Sequence, residues 1–444
     1  MSVSEQQQPT ATSSCWLEID DATLMTLLRK HGQDINDLAE AERDSETEGL
    51  DDADLIPLAG WLRVSPGGAG ELVTQWVSDP IDQDPVGSPI VFTDAEIKEL
   101  HGWVAQRLDT TPTLSWWLRI LRDPRRESYA VAIYNCHDPE PKLVFTGVYP
   151  DAVLCESEQP TVAFVEPHPD VPGRARARLA PIAEDSFTSA ARTLVEGPAG
   201  GVQLMPCSVR RFVKVGHGVR SNRIWQLFDT TQSNPQAIST PEPVHDPSLI
   251  DVALLGDEPV LVQATDKDGR CYIEATELQG GRVSRRWRVA AGQGRMCQIV
   301  GSNGSVLVRA SSDSDTQAEH LYLVPLQEAS SAPAKPLLSS PGVFNMNLNT
   351  CAAAVGFTVA ELRAGMLPIN WYFDSAGRVL NPSTPSTPDV HFTRERFASA
   401  DGYECDLDIR WRGSTTFCGP VVLMVYGAYG IDLDLDTDQD LRHW

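Results

Sequence analysis

The sequence predicts a mainly β chain, either a β-propeller or a sandwich-rich β protein, on three observations. Short runs with alternating apolar positions recur from about Ile56 onward. Turn-forming pairs stand between them, such as Asp268-Gly269, Gly280-Gly281 and Asn303-Gly304, whose tolerance of positive φ suits tight hairpins. One unit returns in approximate form, clearest in PVLVQATDKDGRCYIEATEL (259–278) and SVLVRASSDSDTQAEHLYLVPL (305–326). Antiparallel hairpins repeating at roughly 40–50 residues are the pattern of propeller blades, although no WD or kelch signature is present.

Residues 1–54 read as a disordered and helical arm. The first residues are polar, and from Trp16 to Ala41 the residues Leu24, Leu27, Leu28, Ile35 and Leu38 fall near a helical spacing. An acidic stretch from Glu40 to Asp54 reads as an exposed linker. Residues 55–388 form the β region, with strands expected at AGWLRVS (59–65), SYAVAIYN (128–135), KLVFTGVY (142–149), TVAFVEP (161–167), NRIWQLF (222–228) and HLYLVPL (320–326). DAEIKELHGWVAQRL (94–108) interrupts them as a predicted helix, with Asp94 at its N-cap. Beyond Pro388 the texture changes. ERFASADGYECDLDIRWRG (395–413) reads as two strands joined at Asp401-Gly402, and VVLMVYG (421–427) is an unbroken apolar run of the kind buried on both faces of a parallel sheet.

Composition narrows the function classes. The chain has 444 residues, 41 % hydrophobic, with 32 Gly and 32 Pro that favour turns over long helices. Its formal net charge of −25 is opposite to the basic field that phosphate contacts need, so no nucleic-acid partner is expected. Nine cysteines are scattered without a CxxC pair, which argues against a disulfide framework and a structural zinc site. No basic start followed by an apolar core opens the sequence, and no apolar run reaches the ~20 residues of a membrane span. The expectation is a cytoplasmic protein with no cofactor and no membrane partner.

The last fifty residues carry a resemblance. Arg394-Glu395-Arg396-Phe397-Ala398-Ser399-Ala400-Asp401-Gly402, followed by VVLMVYGAYG (421–430), resembles the segment of the prolyl oligopeptidase family that leads from propeller to peptidase domain, most closely in the oligopeptidase B branch. Arg stands where the family has its first Ser, and the segment is slightly shorter. Arg223-Ile224-Trp225 and RESYAVAIYN (126–135) are similar to blade strands of the family. The resemblance implies a seven-bladed β-propeller with an N-terminal helical arm and, in residues 389–444, the first strands of an incomplete α/β-hydrolase domain. It also implies that Tyr426 is the tyrosine whose hydroxyl helps form the oxyanion hole, since a preorganised O–H donor stabilises the negative charge of acyl transfer. Read without it, Tyr426 simply ends a buried strand.

The rest of that chemistry is absent from these residues. A hydrolase of this class needs a serine in a G-x-S-x-G elbow, and no serine here has Gly at both −2 and +2. None of the nine histidines matches the catalytic one. Two functions therefore stand side by side. One is the propeller-containing part of a serine peptidase for short peptides, lacking its own Ser/Asp/His triad and expected to need a C-terminal hydrolase piece for stability. The other is a non-catalytic propeller that binds peptides or proteins.

Remaining motifs read as structure. IDLDLDTDQDL (431–441) invites calcium, but Thr437 and His443 occupy the places where an EF-hand loop needs Gly and Glu. Arg174, Arg176 and Arg178 read as an exposed strand face, Ser302 and Ser305 as a hairpin turn, His137-Asp138 and His217 as loop groups, and Trp116, Trp117, Trp225, Trp287 and Trp371 as packing.

Overall fold

The computed structural model describes residues 54–412 except 58–59, 67–71, 79, 81–82, 93–99, 137–139, 157–159, 183–189, 220–221, 241, 268–269, 280–281, 312–318, 328–333, 341, 347–355, 363–368, 383–389 and 399–403. The expected arm, the run 421–427, Tyr426 and the acidic motif 431–441 lie outside the described residues. All described residues belong to one unit of the chain, Ala53–Thr437.

Within it the chain makes seven four-stranded antiparallel sheets, each a meander in sequence order. Blade 1 holds β1 (Asp54–Pro57), β2 (Trp61–Pro66), β3 (Leu72–Val77) and β4 (Pro85–Phe92). Blade 2 holds β5 (Val104–Thr110), β6 (Trp116–Arg122), β7 (Tyr129–Asn135) and β8 (Leu143–Val148). Blade 3 follows with β9 (Ala152–Cys155), β10 (Thr161–Pro167), β11 (Arg174–Pro181) and β12 (Arg192–Pro198), and blade 4 with β13 (Gln203–Pro206), β14 (Phe212–His217), β15 (Ile224–Asp229) and β16 (Ala237–Ile238). Blade 5 comprises β17 (Ile250–Leu255), β18 (Glu258–Lys267), β19 (Arg270–Gln279) and β20 (Arg282–Gln293). Blade 6 comprises β21 (Arg295–Gly301), β22 (Ser305–Ser311), β23 (Glu319–Pro325) and β24 (Pro336–Ser340). Blade 7, β25 (Val343–Met346), β26 (Gly356–Leu362), β27 (Ile369–Asp374) and β28 (Val379–Pro382), completes a seven-bladed β-propeller. The hairpin of β29 (Val390–Ala398) and β30 (Glu404–Arg412) follows it.

The two repeated sequence units are the middle hairpins of blades 5 and 6, β18–β19 and β22–β23. The expected strands at 128–135, 142–149, 161–167, 222–228 and 320–326 coincide with β7, β8, β10, β15 and β23. The pair expected around Asp401-Gly402 is β29–β30, with Ala398 opposite Glu404. The predicted helix over 94–108 is corrected over 104–108, while residues 94–99 lie outside the described residues. Its described part turns at Leu100, whose carbonyl accepts from Trp103 N at 3.0 Å, passes Gly102 at φ 79°, and enters β5, which pairs with β6. Among the described residues the one delimited helical element is a 3-10 turn at Pro247–Leu249, with single helical residues at Leu100, Ala190 and Asn222.

A lone four-stranded sheet cannot bury both its faces, so stability comes from stacking. Blades 2 and 3 enclose Ile120, Ile133, Leu154 and Phe164, and blades 5 and 6 enclose Val260, Ile273, Ile299 and Val308. Each such side chain stabilises the fold by about 1.5–3 kcal/mol when withdrawn from water. At the 5–6 seam the inner strands come very close: Leu254 N donates to Ser302 O at 2.9 Å and Gly304 N to Leu254 O at 2.6 Å. A Cβ on Gly301 would stand 2.1 Å from Val252 O, so only glycine fits there.

The ring closes differently from many propellers. No strand is shared between blades 1 and 7 among the described residues, because every blade is one contiguous run. Contact is by side chains instead, Trp61 meeting Tyr372 edge-on with centroids 6.0 Å apart, backed by Val77 and Leu380.

Candidate functional site

Strand direction distinguishes the two ends of the ring. First and third strands begin, and second and fourth strands end, at the end from which the chain leaves β28 for β29. At this end blades 2, 3 and 4 bring a polar cluster together.

Arg223, just before β15, is its best-held member. Its Nη1 donates to Gln203 Oε1 at 2.5 Å and its Nη2 to Gly200 O at 3.1 Å, with the guanidinium 6.0 Å from the Trp225 ring. Gly216 on the neighbouring strand makes room: a Cβ there would lie 2.7 Å from Arg223 Cδ and 3.0 Å from the Trp225 ring. His245 Nδ1 lies 3.0 Å from Arg223 O. Asp151, immediately before β9, is half-buried, and burial pushes its carboxyl above the usual value. The Leu204 N–H and the cations of Arg107 and Arg223 oppose that rise without cancelling it. Such a cluster offers guanidinium, amide and carboxyl groups side by side.

No nucleophile is prepared among these groups. Ser208 Oγ is bonded to Asp251, whose Oδ1 accepts from Ser208 N at 2.9 Å and whose Oδ2 accepts from Gly301 N at 2.9 Å. Lys214 lies 3.7 Å from the same carboxylate and donates to Pro247 O at 3.1 Å. This buried knot ties blades 4, 5 and 6. A second, of Asp109 with Arg210 at 3.0 Å and Leu154 N at 2.9 Å, ties blades 2, 3 and 4. Burial pushes the Cys155 thiol up to about 12 and raises Cys207 well above its usual value, so both stay protonated near neutrality.

The residues singled out from the sequence fall as follows. Tyr426 lies outside the described residues, as do His137 and Asp138. Arg176 and Arg178 both pair with Glu166, at 2.5 and 2.9 Å, which makes theirs a strand-face ion cluster. Ser302 and Ser305 flank the β21–β22 turn. Trp117 and Trp225 are buried; Trp287 and Trp371 are half-buried, with ring N–H groups bonded to Leu326 O and Glu361 Oε2. Among the described residues no group of three or more His, Cys, Asp and Glu is arranged to hold a metal, and no helix is long and apolar enough to cross a membrane. The inter-blade carboxylates Asp109 and Asp251 were missed by sequence reasoning. The signal available was an acid inside an apolar strand, as in IDVALL, which requires a buried partner.

The fold defines the class: a seven-bladed propeller of contiguous blades followed by a hairpin. Among the solved structures similar to it are the following. Oligopeptidase B from Trypanosoma brucei, closed with covalently bound antipain, superposes with a TM-score of 0.62 at 13 % identity, over 94 % of this chain and 62 % of that one. Oligopeptidase B from Leishmania major gives 0.57 at 10 %, over 90 % and 60 %, and a post-proline cleaving enzyme from Rickettsia typhi 0.57 at 10 %, over 89 % and 64 %. At such identities the likeness is one of fold. The chain spans about three-fifths of the length of these structures. No family model matches it, and no curated protein does.

Proposed function

We propose that this chain is the propeller-containing part of a serine peptidase of the prolyl-oligopeptidase and oligopeptidase B type, acting on short peptides in the cytoplasm. The observation that carries the reading is the order of elements. Seven contiguous blades lead into the β29–β30 hairpin, whose sequence resembles the family's link to its peptidase domain. The neighbours named as oligopeptidase B and as a post-proline cleaving enzyme support the substrate class.

In this reading the propeller limits access, and the reaction is acyl transfer through a serine, with charge building on the scissile carbonyl oxygen. Tyr426 contributes one donor to that oxygen. Serine, acid and histidine are supplied by a hydrolase piece outside these 444 residues, because no G-x-S-x-G elbow occurs within them. A fluorophosphonate probe, which esterifies activated serines, tests the division of labour. The chain by itself is expected to remain unlabelled; labelling of the isolated chain would refute it and leave a complete site to be found inside the propeller.

A further inference from the structure

A different surface stands out at the opposite end of the blades, away from the β28–β29 connection. In a chain of net charge −25, residues 278–312 contain six arginines and no acidic residue. Four of these arginines lie between Arg282 and Arg288 on β20, the outermost strand of blade 5, which has no further strand on its outer side among the described residues, although near its end Ala291 O accepts from Ala334 N at 3.1 Å. Beside it an open cleft of about 450 Å³ separates blades 5 and 6, lined by Leu255, Glu277, Arg285, Trp287, Leu326 and Gln327.

Register divides the side chains of β20 between two faces. Arg285 and Trp287 stand opposite Glu277 and Ala275 on the cleft side, with the Arg285 guanidinium 5.3 Å from the Trp287 ring. Arg286 and Arg288 stand opposite Thr276 and Glu274 on the other face, where Arg288 is bonded to Glu274 and Arg286 is exposed. Leu255, 36 % exposed, adds apolar surface to the cleft.

We infer that this edge is a docking surface for an extended acidic segment of a partner protein, added to β20 as a fifth strand. Because strand side chains alternate, such a segment would place Asp or Glu beside Arg286 and apolar residues in the cleft beside Trp287. Pairing with β20 of a second copy would set arginine against arginine, which is repulsive. A nucleic acid offers no main-chain groups to pair with the strand edge, meets Glu277 in the cleft, and is repelled by the rest of the chain. The surface is independent of the peptidase reading, since it uses neither the cluster around Arg223 nor Tyr426.

The test is fluorescence anisotropy of the full chain with a short fluorescein-labelled peptide of alternating Glu and Val. Expected is binding that weakens with salt, falls roughly tenfold in Arg286→Glu, about 1.4 kcal/mol, and survives in Arg286→Lys. A Lys/Val peptide, and a Glu/Val peptide N-methylated along one edge, should fail to bind. The inference is overturned by absent Glu/Val binding, by equal binding of the Lys/Val or N-methylated peptide, by an unchanged Kd in Arg286→Glu, or by equally tight binding of a single-stranded oligonucleotide. Far-UV circular dichroism of the variants separates lost binding from lost fold.

Discussion

Asp251 accepts two backbone N–H groups from different blades and faces the ammonium of Lys214, which is itself fully buried. Removing the carboxylate leaves that ammonium uncompensated in the core, which costs about 3–5 kcal/mol. Asp251→Ala should therefore lose stability on that scale in urea unfolding, and the double variant with Lys214→Met should recover part of it. If the double variant is no more stable than the single, the ion pair is not the cause. Asp151 behaves in the opposite sense. Burial raises its folded-state pKa, so the fold favours the neutral acid and loses stability as pH rises from the ordinary carboxylate value through the raised one. Asp151→Asn should raise Tm at pH 7 and leave it nearly unchanged at pH 3. Asp229 is the contrary case. Burial alone would raise it, yet Arg211 and Thr231 together hold it below the ordinary value, so its contribution is present near neutrality and lost in strong acid.

Among the elements, the seam between β17 and β21 admits no side chain at Gly301, whose absent Cβ would fall 2.1 Å from backbone. A backbone neighbour cannot rotate away as a flexible side chain can, so Gly301→Ala must separate the strands. Faster hydrogen exchange at Leu254 and Gly304 is expected, with blade 3 unaffected; unchanged exchange would mean the seam is looser than its geometry. The same elements show what was legible in the sequence. β18, β19, β22 and β23 were readable because short apolar runs stand between clear turn residues; β19 also alternates, whereas β18 and β22 are buried continuously through their middles, between neighbouring blades. β5 was misread because Ile97, Leu100, Val104 and Leu108 also satisfy a helical spacing, and only pairing with β6 decides between the periods. The polar cluster around Arg223 was not legible: Arg223 and Trp225 read only as part of a blade strand and as packing. Asp151, Gln203 and Arg107 come from other strands, and nothing local in sequence announces that blades will bring them together.

For the molecule as a whole, the joint between blades 1 and 7 holds, among the described residues, a smaller apolar cluster than the seams of blades 2–3 and 5–6. Trp61→Ala should cost about 3–5 kcal/mol and speed exchange in blades 1 and 7 first; uniform exchange across all blades would argue against a weak joint there. The propeller count agrees with the expectation drawn from the family resemblance, and the hairpin after it with the strand pair read at Asp401-Gly402. The peptidase reading depends on residues beyond that hairpin. Its most direct test is hydrolysis of fluorogenic Arg- and Pro-terminated dipeptides by the purified chain, alone and joined to a hydrolase piece bearing the G-x-S-x-G elbow. No turnover is expected from the chain alone. Turnover should appear in the joined protein and fall by about 10²–10³ in Tyr426→Phe, as for loss of one oxyanion donor. Steady turnover by the chain alone, or a joined protein indifferent to Tyr426→Phe, would contradict the account.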